Sequence, residues 1–346
     1  MIAKLNTNEV SKWWLECEKH IQKSHPSQSN YYLFGQSTAL IKFYQSDNLF
    51  FTQAIAHLEI HNQNFIKNNF LIHVIDGTKS GIVIPLDIII KYKVILDNNH
   101  YVQSEDINYV LHYQFGDNFT HIQIINKLTN QAIVWCNVTQ QIPSWEKSFP
   151  FRQILHHFFE RSSYCLIHAA GVGIDGSGVI LTAKGGSGKS TSALSCLEQG
   201  WQYIGDDFIL LDTANNYMYS LYNVAKLEKH QINKFNNLSS IVEAKNQDMQ
   251  KQQIFLYPKY NDKICHKMKL NAILIPEYDQ NLGDTTLIKT TAAHALLSMA
   301  PSTMFLLKSE QTIFNKLSQI CRSLPCYKLN TSKNLISIPR AIQELL

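Results

Sequence analysis

Ala183-Lys184-Gly185-Gly186-Ser187-Gly188-Lys189-Ser190-Thr191 decides how this chain is read, because it carries the glycine, lysine and hydroxyl pattern of a loop built to hold phosphate. Immediately before it, Gly178-Val179-Ile180-Leu181-Thr182 is short, apolar and partly β-branched, which predicts a buried strand. Immediately after it, Ser192 to Gln199 is compatible with a helix that Gly200 stops. A strand, a glycine-rich loop and a helix in that order can turn successive backbone N–H groups, and the helix N-terminus, onto an anion. Gly185, Gly186 and Gly188 supply the backbone freedom, Lys189 an ammonium for the outer phosphates, and Ser190 a hydroxyl for magnesium. The expected ligand of Gly185 to Thr191 is a nucleoside triphosphate, ATP, with Mg2+ as the accompanying ion. Ala183 stands where the pattern usually begins with glycine, and a small residue at a strand end fits there.

A second constellation follows the predicted helix. Trp201-Gln202-Tyr203-Ile204-Gly205-Asp206-Asp207-Phe208-Ile209-Leu210-Leu211-Asp212 places an acidic pair at the start of an apolar strand. Two readings compete. A single carboxylate after four apolar residues nominates Asp212 as the metal partner. The adjacent pair nominates Asp206 and Asp207, one toward magnesium and one as a base toward an accepting hydroxyl. The pair is favoured because neighbouring carboxylates raise one another's pKa and call for a compensating cation, whereas Asp212 leads into Thr213-Ala214-Asn215-Asn216, an ordinary strand-ending turn.

Upstream, Cys165 to Ile174 reads as one strand carrying His168, and Asp175-Gly176-Ser177-Gly178 as a hairpin turn into the loop strand. A lone histidine in an apolar strand is ordinarily a core residue; beside a phosphate loop it becomes a candidate for the chemistry.

Ile-His-Ala-Ala-Gly-Val around His168, Gly-Gly-Ser-Gly-Lys-Ser-Thr at 185–191 and Ile-Gly-Asp-Asp at 204–207 together resemble the catalytic core of the HPr kinase/phosphorylase family, related in its P-loop fold to ATP-dependent phosphoenolpyruvate carboxykinase. HPr-kinase-like proteins of bacterial gene clusters, lasso-peptide precursor kinases among them, are similar too. The likeness covers about residues 150 to 346. It implies an α/β fold with a P-loop core of the HPr kinase/phosphoenolpyruvate carboxykinase type. It also implies roles: Lys189 on the β- and γ-phosphates, Ser190 and Asp207 on magnesium, Asp206 as the base, and His168 keeping that aspartate ionised and oriented. Glu228 is a further metal candidate. Where the bifunctional enzymes carry an acidic-isoleucine-arginine-glycine signature, this chain has Lys226-Leu227-Glu228-Lys229-His230 and no arginine. The resemblance therefore implies a kinase more than a phosphorylase. No oxaloacetate-binding arginine cluster accompanies it, which argues against a carboxykinase.

The rest of the sequence bounds these expectations. The chain has 346 residues, 45% hydrophobic and 17% charged, enough apolar material for two domains. A net charge of +4, with no lysine-rich run, speaks against nucleic-acid binding. Seven scattered cysteines without a Cys-x-x-Cys pair point to reduced thiols and a cytoplasmic protein. The apolar run Gly81 to Ile90, interrupted by Pro85 and Asp87, is too short to span a bilayer and reads as a buried strand pair, so no membrane is expected. Alternation at Tyr31 to Tyr44, Gly81 to Leu96, Tyr109 to Phe115 and His121 to Ile133 predicts a strand-rich accessory or recognition domain over 1–148, and 149–346 is the expected catalytic domain, opening with a helix over Phe151 to Glu160. Trp13-Trp14 and His156-His157 read as packing pairs on helices. Ala292 to Met299 is expected to be a helix ending at Pro301, and Lys226 is the first choice of cation for a transferred phosphoryl group, ahead of Lys251, Lys259, Arg322 and Arg340. Two function classes remain: a kinase acting on a hydroxyl of a protein, a peptide or a small molecule, and a non-catalytic nucleotide sensor. Homo-oligomerisation is compatible with either.

Overall fold

The computed structural model describes residues 7–61, 67–82, 101–102, 108–115, 120–139, 142–239, 251–307 and 311–346. It is a mixed α/β protein whose chain divides into two compact units, Met1–Gln53 with Glu59–Phe158, and Ala54–Leu58 with Phe159–Leu346.

The first unit is built on an eight-stranded sheet in the order Glu59–Ile60, Gln28–Phe34, Ser37–Tyr44, Phe70–Asp76, Gln131–Cys136, Thr120–Asn126, Tyr109–Phe115, Tyr101–Val102. Its hairpin turns fall where the sequence alternation breaks, at Phe34/Ser37 and at Asn126/Gln131. Trp13 and Trp14, on the helix Thr7–Lys23, are both buried and pack with Leu111, Ile122 and Trp135, so their apolar area is spent on this core. Of the strand pair expected over Gly81 to Ile90, and of the alternation running on to Leu96, residues 83–96 lie outside the described residues; Gly81 closes a short helix, Gly77–Ser80, in the left-handed conformation.

The helix Arg152–Phe159 falls almost wholly in the first unit, where the sequence placed it at the start of the second. The reason lies in its contacts: the Phe158 ring stacks on Phe70, centroids 4.5 Å apart and 9° from parallel.

The second unit carries a nine-stranded mixed sheet, with seven strands in the order Gln202–Gly205, Ala170–Ile174, Ser177–Leu181, Lys267–Tyr278, Tyr217–Tyr219, Ile209–Asp212, Tyr164–Ile167. Cys326–Thr331 lies parallel to Lys267–Tyr278 and carries Thr286–Thr290 at its other edge. Alternate residues of the central strands face opposite cores. Val179, Leu181, Ala272 and Leu274 pack under the helices Lys189–Glu198 and Ser337–Gln343, whereas Ile180, Ile273 and Ile275 pack under Ala292–Leu307 and Gln311–Ser323. Such double burial explains why these strands read as continuous apolar runs.

Two expectations are corrected here. Cys165 to Ile174 forms two strands, Tyr164–Ile167 and Ala170–Ile174, and His168 stands in the break. The first pairs with Ile209–Asp212 and the second with the loop strand Ser177–Leu181, so the chain must cross between them at His168 and Ala169. The helix from Ala292 runs through Pro301 to Leu307. Pro301 removes the N–H that would reach the carbonyl of Leu297, and that turn is exposed, with Leu297 at 69%. Water can therefore take the freed carbonyl.

Candidate functional site

The loop strand Ser177–Leu181 runs parallel to Lys267–Tyr278, which runs parallel to Cys326–Thr331. Their carboxyl ends therefore point the same way, and a cavity of about 690 Å³ opens there. Ligand sites of open α/β sheets are found at this end of parallel strands. Thr182 holds the loop base in place: its N–H donates to Leu274 O at 2.9 Å, and its carbonyl accepts from Ser298 Oγ at 3.0 Å. Gly186 and Gly188 then take φ of 83° and 98°, values that cost a side-chain-bearing residue dearly. Gly188 caps the helix Lys189–Glu198 with no side-chain hydrogen bond, which leaves the first N–H groups of that helix turned to the cavity.

Lys189 is buried and its ammonium lies 2.9 Å from Asp207 Oδ1, 3.8 Å from Asp206 Oδ1 and 3.3 Å from His168 Nε2. His168 Nε2 is in turn 3.3 Å from Asp207 Oδ1, and Lys226 Nζ reaches Asp207 Oδ2 at 3.9 Å. The sequence elements around 168, 189 and 206–207 thus meet at one point.

The two aspartates are held differently. Asp207 has φ of 64°, and Phe208 N–H donates to Asp206 O at 2.8 Å across it, a tight turn of a rare kind. The turn throws the Asp207 side chain into the cavity. Asp206, 1% exposed, is turned inward, where its Oδ1 accepts from Asp207 N–H at 2.9 Å and the Ser190 hydroxyl approaches its carboxylate. Burial and the neighbouring charge of Asp207 push the Asp206 carboxyl up, against the pull of Lys189. Burial also acts to raise Asp207, but Lys189 and the His168 hydrogen bond outweigh it and hold that carboxyl well below its ordinary value. His168 is lowered by burial, which its hydrogen bond to Asp207 opposes, so the ring is neutral near pH 7. The backbone of His168 is anchored by donation to Thr303 Oγ1 at 3.0 Å.

This arrangement corrects the expected pairing of His168 with Asp206. The histidine meets Asp207, because the turn at 206–207 exposes the second carboxylate and buries the first. Asp212 accepts from Ala214 N–H and Asn215 Nδ2, both in the turn that ends its strand. Glu228 stands in the cavity wall, where its carboxylate, 45% exposed, lies 3.5 Å from His230 Nδ1. Arg322 lines a different cavity with Phe314 and Ser318.

Sequence reasoning did not find several wall residues. Gln231 Oε1 accepts from Thr191 Oγ1 at 3.0 Å, and Lys184, Lys234 and Lys333 face the same space as Lys226 and Lys251. Thr331, Leu335 and Ile338 join them from the far end of the chain. No spacing signal linked these segments, which meet only through the sheet. Hydroxyl and carboxylate oxygens of Ser190 and Asp206 form the hard donor set that magnesium takes, and Asp206 Oδ2 has no hydrogen-bond partner among the described residues. Lys184 and Lys189, on the loop itself, suit polyphosphate. The residues present therefore fit a magnesium nucleotide.

Comparison with known proteins adds three findings. A family model described as ScmC, SynChlorMet cassette protein ScmC, matches residues 134–253. No curated protein matches the chain. Among solved structures, the chain is similar to the Hpr(Ser) kinase/phosphatase from Coxiella burnetii at 16% identity, over 52% of this chain and 92% of that one, with a TM-score of 0.27. No helix among the described residues is long and apolar enough to cross a membrane.

Proposed function

We propose that the cavity binds ATP with magnesium and that the protein is a kinase moving the γ-phosphoryl group to a hydroxyl of a protein, peptide or small molecule, on a P-loop core of the HPr kinase/phosphoenolpyruvate carboxykinase type. The observation that carries this reading is the Lys189 ammonium held between Asp207 and His168 at the head of a strand–loop–helix. A nucleotide-binding loop needs the lysine alone. A neutral imidazole on a cavity-facing carboxylate is what a proton acceptor needs.

In this proposal the backbone of Gly185 to Thr191 cradles the phosphates, and Ser190 with Asp206 faces the metal. Bound there, the magnesium nucleotide supplies the electrophilic γ-phosphorus and ADP as leaving group. Lys189 turns from Asp207 to the outer phosphates. Asp207 thereby loses its nearest counter-charge and becomes more basic. His168, no longer facing the ammonium, keeps Nε2–H on Asp207 and orients it. Asp207 takes the acceptor's hydroxyl proton as the new oxygen–phosphorus bond forms and the bond to the β-phosphate oxygen breaks. The base is thus assigned to Asp207 and the metal side to Asp206, the reverse of the sequence expectation. Positioning and charge neutralisation supply most of the acceleration in such transfers.

The test is transfer of radiolabelled γ-phosphate to candidate alcohols by the wild type and by Asp207→Asn. Label on an acceptor, abolished in the variant with nucleotide binding intact, supports the proposal. Label that never leaves ATP, or leaves for water at one rate in both proteins, moves the reading to a nucleotide sensor.

A further inference from the structure

The cavity wall holds six lysines, Lys184, Lys189, Lys226, Lys234, Lys251 and Lys333, against two carboxylates, Asp207 and Glu228. Asp206, 3.8 Å from Lys189 behind that wall, is a third carboxylate, so the described residues of the site carry a surplus of three positive charges. Among the described residues no carboxylate lies within ion-pair distance of Lys184, Lys234, Lys251 or Lys333; the ion pairs of the wall are those of Lys189 and Lys226 to the aspartates and of His230 to Glu228.

A magnesium-bound nucleoside triphosphate brings roughly two negative charges near neutral pH. It leaves about one of the three unanswered. Lys189 and Lys226 sit at Asp207, whereas Lys251 extends from the strand Lys251–Phe255 and Lys333 follows the strand Cys326–Thr331, both exposed at the cavity's edge. A cavity that concentrates one sign of charge raises the local concentration of ligands of the other sign.

Resting on the kinase reading, we infer that the phosphoryl acceptor is itself anionic: its hydroxyl is carried beside carboxylate or phosphate groups, which Lys234, Lys251 and Lys333 receive while Lys189 and the loop hold the nucleotide. The chemistry can come from a serine or threonine flanked by acidic residues or from a small hydroxy acid.

The experiment is fluorescence-anisotropy titration of three labelled serine peptides, with acidic, neutral and basic flanks, into the full-length protein loaded with magnesium and a non-hydrolysable ATP analogue. The acidic peptide is expected to bind at least about tenfold more tightly than the basic one, with affinity falling as salt rises. The double reversal Lys251→Glu/Lys333→Glu should abolish that preference and leave analogue affinity within about twofold, while the reversal Lys12→Glu/Lys19→Glu, on the exposed face of the helix Thr7–Lys23, changes neither. Competition by a hydroxy-dicarboxylate that displaces an equally anionic but hydroxyl-free peptide assigns the same chemistry to a small acceptor. Equal binding of the three peptides, an equal loss in the Lys12/Lys19 variant, or a loss of analogue affinity in the Lys251/Lys333 variant overturns the inference. A wild type that fails to bind the analogue refutes the kinase reading instead, so the two failures are distinguishable.

Discussion

Lys189→Ala probes the site most directly, because that lysine has one task in the ion-paired fold and a separable one in the proposed nucleotide binding. Its ammonium is 2.9 Å from Asp207 and 3.8 Å from Asp206, and both pairs are largely shielded from water. Breaking a buried ion pair costs about 3–5 kcal/mol when a charge is stranded. Here Lys226 remains 3.9 Å from Asp207, and Asp206, already pushed up by burial, can take a proton. A destabilisation of about 2 kcal/mol is therefore expected, read as a lower urea midpoint. The proposed contact with phosphate is charge-assisted and worth about 1.5–3 kcal/mol, so nucleotide affinity should fall about ten- to 150-fold by calorimetric titration. The double variant Lys189→Ala/Asp207→Asn removes the stranded charge and should recover most of the stability but none of the affinity. An unchanged ATP affinity in a folded Lys189→Ala protein would refute the reasoning, as would a double variant that binds ATP like the wild type.

Asp206→Asn and Asp207→Asn should each abolish transfer, and Asp212→Asn should leave it within about twofold; a silent pair with a critical Asp212 reverses the assignment. His168→Ala should slow transfer by about two to four orders of magnitude, with most of the loss in kcat, whereas a merely structural histidine would lower the urea midpoint and leave kcat alone. Gly205→Ala sets a Cβ 2.9 Å from Ile209 Cγ2, directly before the acidic pair, and should cost about 1–3 kcal/mol in a thermal melt; an unshifted melt would show that the turn can give. For pH, His57 is lowered to about 3 by burial and the nearby His266, and His73 to about 4 by burial and Lys42. Below the unfolded value of about 6.5 only the unfolded chain takes these protons, so the stability is fully present above that pH and is lost as pH falls toward the folded values. His73 lies in the first unit and His57 in the second, and these two histidines alone should cost each unit about 2 kcal/mol between pH 6.5 and 5 in urea titrations. A pH-independent midpoint over that range contradicts it.

Local signals were legible where local physics governs. The glycines at 186 and 188, the helix that follows the loop and the hairpins at Asn126/Gln131 and Asp175/Gly176 follow from backbone freedom and side-chain period, which a single sequence displays; that the helix begins at Lys189, three residues before the expected Ser192, was not legible. The co-presence of His168, Lys189 and the aspartate pair was legible as a pattern. Which aspartate faces the cavity was not, because it depends on a left-handed turn at Asp207 that the sequence between two strands does not announce.

The break at His168 and the passage of a helix through Pro301 were hidden for a related reason. The first depends on two different strands claiming the two halves of one apolar run, and the second on which side of a helix faces water. The lysine wall is the plainest case. Lys184, Lys234, Lys251 and Lys333 are scattered over 150 positions and look like solvated surface one at a time. Charge sums through space, and only the parallel strands that bring their carboxyl ends together make those ammonium groups act as one field. The sequence by itself determined that the chain has a strand, a glycine-rich loop and a helix in that order; the tertiary structure decided which side chains surround the loop, because those come from segments far apart in the chain.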